Sequence, residues 1–281
     1  MPEVRSPTLR RRELGALLRA LRNENGLTVE QVAERLLCSP SKVSRMETGQ
    51  GATARDIRDL CDLYDITDAE RDRLQALARE GKRRAWWQSY DLAYADYVGL
   101  EADAVTISAF QSSVVNGLLH TKDYARASHE GAMPRLDPHQ IDLQIEAKLT
   151  RQRILTRDDP PRLDVVLDEA ALHRMVGGRQ VMAGQLTKIL QTAALPNVVV
   201  QVLPYEAGFH PAVESNFTIL ALPNPAPDVV FVEGLIGSTY LDRPDDLKRY
   251  REIFDRLQSI ALNPKDTVDL IADLHVVYLD G

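Results

Sequence analysis

Ser39 to Gly49 reads S-P-S-K-V-S-R-M-E-T-G, a segment with a start, two contrasting faces and a stop. Ser39 is placed to cap a helix, and Pro40 fits the first turn, where its missing N–H is no loss. At about 100° per residue, Val43 and Met46 fall on one side. Ser41 and Arg45 point the opposite way, with Ser44 and Thr48 beside them and Lys42 on the flank. Gly49, just beyond, suits a left-handed C-terminal cap.

Working outward, the flanking segments repeat one apolar spacing. Leu14, Leu17, Leu18 and Leu21 recur at i, i+3, i+4, i+7, as do Val29, Val32, Ala33 and Leu36 after the N-cap Thr28. Ile57, Leu60, Cys61 and Tyr64 do the same. Such stripes each bury one helix face, so the spacing predicts an all-α bundle of about five helices with Ser39–Gly49 inside it. The arrangement is that of a helix-turn-helix, whose outward face enters the major groove. We expect Ser39, Ser41, Lys42, Ser44, Arg45 and Thr48 to face double-stranded DNA. Arg45 is the best base reader, because its fork matches the two acceptors of a guanine edge. Ser41 and Ser44 suit bases or phosphates, and Lys42 suits a phosphate, which positions without reading sequence. The plainer alternative is a helical bundle whose basic residues are merely solvated.

The run L-R-A-L-R-N-E-N-G-L-T, then A-E-R-L, then S-K-V-S-R-M-E-T-G resembles the XRE (Cro/cI-like) family of regulators. That resemblance implies an ion pair between an arginine of the first helix and the glutamate ending the recognition helix, here Arg22 and Glu47. Two positions depart from the family pattern. Val29 stands where a phosphate-contacting Gln is frequent, and Leu37 where a turn glycine is frequent. A left-handed leucine there implies strain of about 1–2 kcal/mol.

The full chain has 281 residues and a formal net charge of −7, which at first sight opposes a nucleic-acid partner. The charge is unevenly spread. Residues 1–60 hold 11 Lys/Arg against 8 Asp/Glu, a charge of +3, while residues 61–281 hold 23 against 33, a charge of −10. Positive charge thus gathers on the reading head and the remainder repels DNA. With so mild an excess one head alone would bind weakly at physiological salt, and the geometry of the family it resembles implies a homodimer on a palindromic operator, with half-sites about one helical turn apart. The N-terminal run M-P-E-V-R-S-P-T-L-R-R-R lacks the apolar core of a signal peptide, and no apolar run suits a membrane span. The two cysteines, Cys38 and Cys61, have no C-x-x-C partner, which argues against zinc and a disulfide framework. A cytoplasmic chain without a cofactor is expected.

Beyond the bundle the pattern changes. Residues 68–84 read as a fifth helix, and Trp87, Tyr90, Tyr94 and Val98 follow at helical spacing as a core stripe. We place the boundary near Lys82–Ala85, giving a DNA-binding domain of residues 1–84 and a larger domain of residues 85–281 for dimerisation and signal or partner binding. In the latter, residues 138–156 and 179–194 read as helices. Leu163–Leu167, Val198–Leu203, Asn216–Leu222 and Val229–Ile236 read as strands, the last two joined by P-N-P-A-P-D. A final long helix follows Pro244. The expectation is an α+β domain with a mainly antiparallel sheet.

The strings G-L-L-H-T-K-D-Y-A (117–125), R-Q-R-I-L-T (151–156), V-L-D-E-A-A-L (166–172), Q-V-L-P (201–204) and V-F-V-E-G-L (230–235) are similar to the C-terminal domain of WhiJ-like regulators, an actinobacterial, antitoxin-like group. The group usually has Gln where this chain has His120. The resemblance implies a transcriptional regulator acting with a small partner protein. The residues themselves add little: no H-E-x-x-H, G-x-S-x-G, Walker or G-x-G-x-x-G pattern occurs. Glu169, His210 and Glu233, near strand ends, are candidates for a ligand or partner site, the alternative being loop charges and a satisfied core glutamate. Three readings follow: a DNA-binding regulator controlled by a small protein or small-molecule effector, an antitoxin-like interaction protein, and a DNA-tethered enzyme, the last disfavoured.

Overall fold

A computed structural model describes residues 5–90, 92–132 and 136–280; the first four residues of the N-terminal run lie outside these. The chain separates into two compact units. One comprises residues 1–91, 95–103 and 222–227, the other residues 92–94, 104–221 and 228–281.

The first unit is helical: α1 (Pro7–Glu24), α2 (Val29–Arg35), α3 (Pro40–Glu47), α4 (Ala54–Leu63), α5 (Asp68–Glu80) and α6 (Ala95–Glu101). Its helices start where the sequence offers an oxygen to the free N–H groups. The Thr28, Thr53 and Thr67 hydroxyls cap α2, α4 and α5, each answered by the side chain three residues on, Gln31, Asp56 or Glu70. This reciprocal box satisfies two orphan donors at once. The expected stripes meet in one core of Leu14, Leu18, Val32, Ala33, Val43, Met46, Ile57, Leu60, Cys61, Tyr64, Leu74 and Leu77. Burying one such aliphatic side chain contributes about 1.5–3 kcal/mol.

Two local expectations need correction. The helix expected over residues 68–84 ends at Glu80, with Gly81 as its C-cap, where an added Cβ would stand 2.8 Å from Arg11 Cγ. The aromatic stripe is not on one helix. Trp86–Ser89 forms a single 3-10 turn and α6 begins separately at Ala95. Local side-chain bonds compete with helix continuation there: Ala85 N donates to Gln88 Oε1 and Ser89 Oγ donates to the Trp86 carbonyl. Trp87 and Val98 are nonetheless buried.

The second unit is α+β. Its strands are β1 (Thr106–Gln111), β2 (Arg162–Asp168), β3 (Val198–Leu203), β4 (Phe217–Ala221), β5 (Val229–Gly234) and β6 (Gly237–Leu241). Its helices are α7 (Lys122–Glu130), α8 (Pro138–Arg151), α9 (Ala170–His173), α10 (Arg179–Ala193), α11 (Pro244–Ile260) and α12 (Pro264–Asp280). The sheet order is β3-β2-β1-β4-β5-β6. The pairs β1–β4, β4–β5 and β5–β6 are antiparallel, and β1–β2 and β2–β3 parallel. The mostly antiparallel sheet therefore carries a parallel flank, reached through the helical crossovers that parallel pairing requires. Leu247, Phe254 and Leu257 of α11 pack with Phe110, Val166, Phe217 and Val230 of the sheet. The helix after Pro244 is not the last: Asn263 Oδ1 accepts from Lys265 N and Asp266 N, starting α12. Edge strand β3 is covered by this helix, with Val202 N donating to Thr267 Oγ1 at 3.0 Å and Leu262 N donating to the Val202 carbonyl at 2.8 Å. Among the described residues no helix is long and apolar enough to cross a membrane.

Within the first unit α1 and α3 approach backbone to backbone. A Cβ on Gly15 would stand 2.6 Å from Gly49 N and 2.7 Å from the Glu47 carbonyl oxygen. Backbone cannot yield as a flexible side chain can, so Gly15→Ala is expected to destabilise this unit by about 1–3 kcal/mol. Both tryptophans, Trp86 and Trp87, lie in this unit. Urea unfolding followed by tryptophan fluorescence therefore measures the loss directly.

Candidate nucleic-acid interface

Helix α3 is a short element whose two ends are both fixed. At its start Ser39 Oγ accepts from Lys42 N at 3.3 Å, and Pro40 takes the first helical position. At its end Gln50 N donates to the Arg45 carbonyl at 2.7 Å and Gly49 N to that of Met46 at 3.1 Å, while Gly49 adopts φ +82°. This is a Schellman closure, which satisfies carbonyls left over at a helix C-terminus. Helix α2 closes in the same pattern, with Cys38 N donating to the Ala33 carbonyl at 2.9 Å and Leu37 N to that of Glu34 at 3.1 Å. Here the left-handed position is held by leucine, at φ 51° and 95 % exposed.

Between these ends α3 divides into two faces. Val43 and Met46 are each 1 % exposed. Ser41, Ser44, Arg45 and Thr48 all face solvent, with Ser39 exposed at the cap. Thr48 Oγ1 donates to the Arg45 carbonyl at 3.0 Å, while the Arg45 guanidinium is exposed.

Glu47 is buried at the end of α3. It accepts from Arg22 through two parallel bonds, Nε to Oε1 at 2.6 Å and Nη2 to Oε2 at 2.9 Å. Arg22 Nη1 also donates to the Leu27 carbonyl at 3.0 Å, tying the α1–α2 turn to the same group. The fork-to-fork geometry suits arginine and not lysine. The hydrogen bond to Glu47 raises the Arg22 pKa further. Tyr64 lies close by, and burial first, then the Glu47 charge, push its hydroxyl up to about 12, so it stays neutral.

Lys42 is more engaged than a pure phosphate contact would be. Its ammonium lies 2.5 Å from Asp56 Oδ1, and the other Asp56 oxygen accepts from Thr53 N and Oγ. Burial works to raise the Asp56 pKa, but the bonds from Lys42 and Thr53 outweigh it and hold the carboxyl below its ordinary value. Lys42 therefore anchors α3 to the start of α4. Asp56 was not legible as its partner, since a T-x-x-D signature accounts for that residue as a cap alone. Gly15 was also missed, having no local turn to mark it.

The candidate residues of the second unit are only partly brought together. Glu169 follows β2, accepts from Tyr205 N at 2.9 Å and lies 3.2 Å from His173 Nε2. His210 is buried, with Nε2 3.5 Å from Asp168 Oδ2 and its ring edge-on to Phe110 at 5.3 Å. Glu233 is exposed on β5, opposite Ser238. Strands β1 and β4 stand between β2 and β5, which separates Glu233 from the Glu169–His210 region by roughly 14 Å at about 4.8 Å per strand.

Comparison with known families gives two matches. A model of a helix-turn-helix domain matches residues 13–74, and a model of a domain of unknown function (DUF5753) matches residues 94–273. No curated protein and no solved structure matches the chain. The first unit thus holds a helix-turn-helix DNA-binding domain.

Arg22→Ala leaves the Glu47 carboxylate buried without its bidentate partner. We expect a loss of about 3–5 kcal/mol in the tryptophan-reported urea transition. Leu37→Gly works in the opposite direction. It relieves about 1–2 kcal/mol of left-handed strain and adds about 0.5–1 kcal/mol of chain entropy. With no burial to lose, it should stabilise the same unit by up to about 1.5 kcal/mol, read as a shift in the urea midpoint.

Proposed function

The chain belongs to the DUF5753 family, and from that premise we propose that it is a sequence-specific transcriptional regulator of the XRE (Cro/cI-like) kind. It acts in the cytoplasm as a homodimer on a palindromic operator, and its second unit receives a signal and performs no catalytic turnover. The observation that carries this reading is the exposed row Ser41, Ser44, Arg45 and Thr48 on a helix whose opposite face and both ends are fixed. A rigid helix with a free polar face is what base reading needs, since phosphate contacts alone carry no sequence information. The charge of +3 on residues 1–60 against −10 on the remainder supports docking through the head.

A second reading has its own support. Val114, Tyr205, Phe209, Val213, Leu235 and Ile236 are exposed apolar residues. The register places all of them in connections at one end of the sheet, beyond the C-termini of β1, β3 and β5. Apolar groups gathered on one end favour a protein partner. This is the antitoxin-like reading, in which a small protein docks on the second unit and DNA binding serves autoregulation.

The test is binding to operators selected from a random duplex pool, read by fluorescence anisotropy at two salt concentrations. Arg45→Ala should weaken binding by about 1–3 kcal/mol and relax preference at one base position. Lys42→Ala, which also releases α3 from Asp56, should weaken all sequences alike and lower the urea midpoint of the first unit. If Arg45→Ala retains both affinity and preference, α3 is not the reading helix.

A further inference from the structure

A cavity of about 310 Å³ opens in the first unit beside the C-terminal end of α3. That volume is at the lower end of small-molecule sites, which run from roughly 300 to 1,000 Å³. Its wall comes from three places: the first half of α1, the connection from α3 to α4, and the chain around and after the end of α5. All of these lie within residues 1–91, so the cavity belongs to this unit alone. Leu14, Ala52 and Ala78 give it an apolar floor, while Lys82 and Arg83 bring positive charge. None of its described lining residues is Asp or Glu.

The two cations are uncommitted. Arg10, Arg22 and Lys42 are each held by a carboxylate, whereas Lys82 and Arg83 are exposed and have no side-chain partner among the described residues. Backbone donors accompany them. The N–H groups of Gly51 and Ala52 find no acceptor among the described residues, although Gln50 N before them donates to the Arg45 carbonyl and Thr53 N after them to Asp56 Oδ2. Gln88 Oε1 accepts from Ala85 N, which leaves the amide N–H groups of this wall residue to donate. Arg11 is different: Nη1 donates to the Gly81 carbonyl at 3.2 Å and Nη2 to Asp96 Oδ1 at 3.0 Å, so it shapes the wall and supplies no free charge.

We propose that this cavity binds a small molecule carrying one oxyanion group, a phosphate or carboxylate, on a compact apolar body. The oxyanion lies against Lys82 and Arg83 and takes N–H donors from Gly51 and Ala52, and the body covers Leu14 and Ala78. Positive charge by itself would serve a duplex phosphate equally well. The concave shape and apolar floor favour a small molecule, since such sites combine an apolar lining with a few placed polar groups. Gly49, which closes α3, is part of the same wall, so an occupant bears directly on the end of the reading helix. That regulatory consequence rests on the function proposed above; binding itself is read without DNA.

The experiment is calorimetric titration of the full chain with phenyl phosphate, benzoate and inorganic phosphate, each as the sodium salt at one ionic strength. At least one aromatic anion should bind at one site per chain, about tenfold or more tighter than inorganic phosphate because its ring covers the apolar floor. Which of the two binds names the oxyanion. Lys82→Gln combined with Arg83→Gln should weaken that binding by about tenfold or more. Lys248→Gln combined with Lys265→Gln, which removes two exposed cations of the second unit, should leave it unchanged. Equal losses in the two double variants mean diffuse charge attraction and overturn the proposal, as does a wild type that binds neither aromatic anion or binds all three anions alike. The idea also fails if the Lys82 and Arg83 variant keeps its small-anion affinity yet loses affinity for every duplex alike, with a salt slope lower by about two, because the cavity then serves a duplex phosphate. Arg45→Ala should keep the small-anion binding, which separates this site from the DNA-reading assignment.

Discussion

An eight-residue helix that turns half its side chains to solvent has little with which to hold itself in place. Helix α3 contributes only Val43, Met46 and Glu47 to the interior, and isolated helices this short are marginal in water. Its position therefore depends on the buried Arg22–Glu47 pair at its end. Arg22 reaches both carboxylate oxygens and the Leu27 carbonyl, so one side chain joins α1, the turn into α2 and the last residue of α3. Gly15 and Gly49 let α1 and α3 touch along their backbones at the same end. At the other side Lys42 and Asp56 tie α3 to α4. The core supplies most of the apolar stabilisation, while these polar ties select one orientation of the helix among the many that apolar packing would tolerate.

The second unit manages its sheet edges unequally. On β3 the backbone groups of Val202 are satisfied by Thr267 and Leu262 at the start of α12, which blunts that edge against pairing with another chain. At the far edge β6 pairs only with β5, through a hairpin whose tip residues Leu235 and Ile236 are fully exposed. The chemistry of the unit is gathered at one end of the sheet. His210 beside Asp168, the exposed apolar connections and the segment leading from β1 to His120 all belong there.

The legible parts of this architecture were those set by short-range chemistry. Ser39, Thr28 and Gly49 declare helix ends because a hydroxyl or a missing Cβ acts on the backbone within three residues. The apolar stripes of α1, α2 and α4 declare their buried faces for the same local reason. Strand β1 went unread because T-I-S-A-F-Q is too short and mixed to stand out, although its place between β2 and β4 makes it central. The hairpin partner β6 was hidden behind its glycine and hydroxyl residues. The aromatic spacing from Trp87 to Val98 imitated a helix across a turn. In the reading head, Arg22 and Glu47 emerged from a family resemblance, while Lys42–Asp56 and Gly15–Gly49 depend on approaches of α3 to α4 and α1 that no local pattern encodes.

The way α3 is held bears on how such a protein can change its target. Everything that locates the helix points inward or lies at its ends: Val43, Met46, Glu47, the Ser39 cap and Gly49. Ser41, Ser44 and Arg45 carry none of that responsibility, having no side-chain ties to the rest of the fold among the described contacts. Substitutions at these three positions are therefore close to neutral for folding, and on the function proposed above they alter what is read. On that proposal, a lineage of duplicated copies can explore new operators one base contact at a time, without passing through unfolded intermediates.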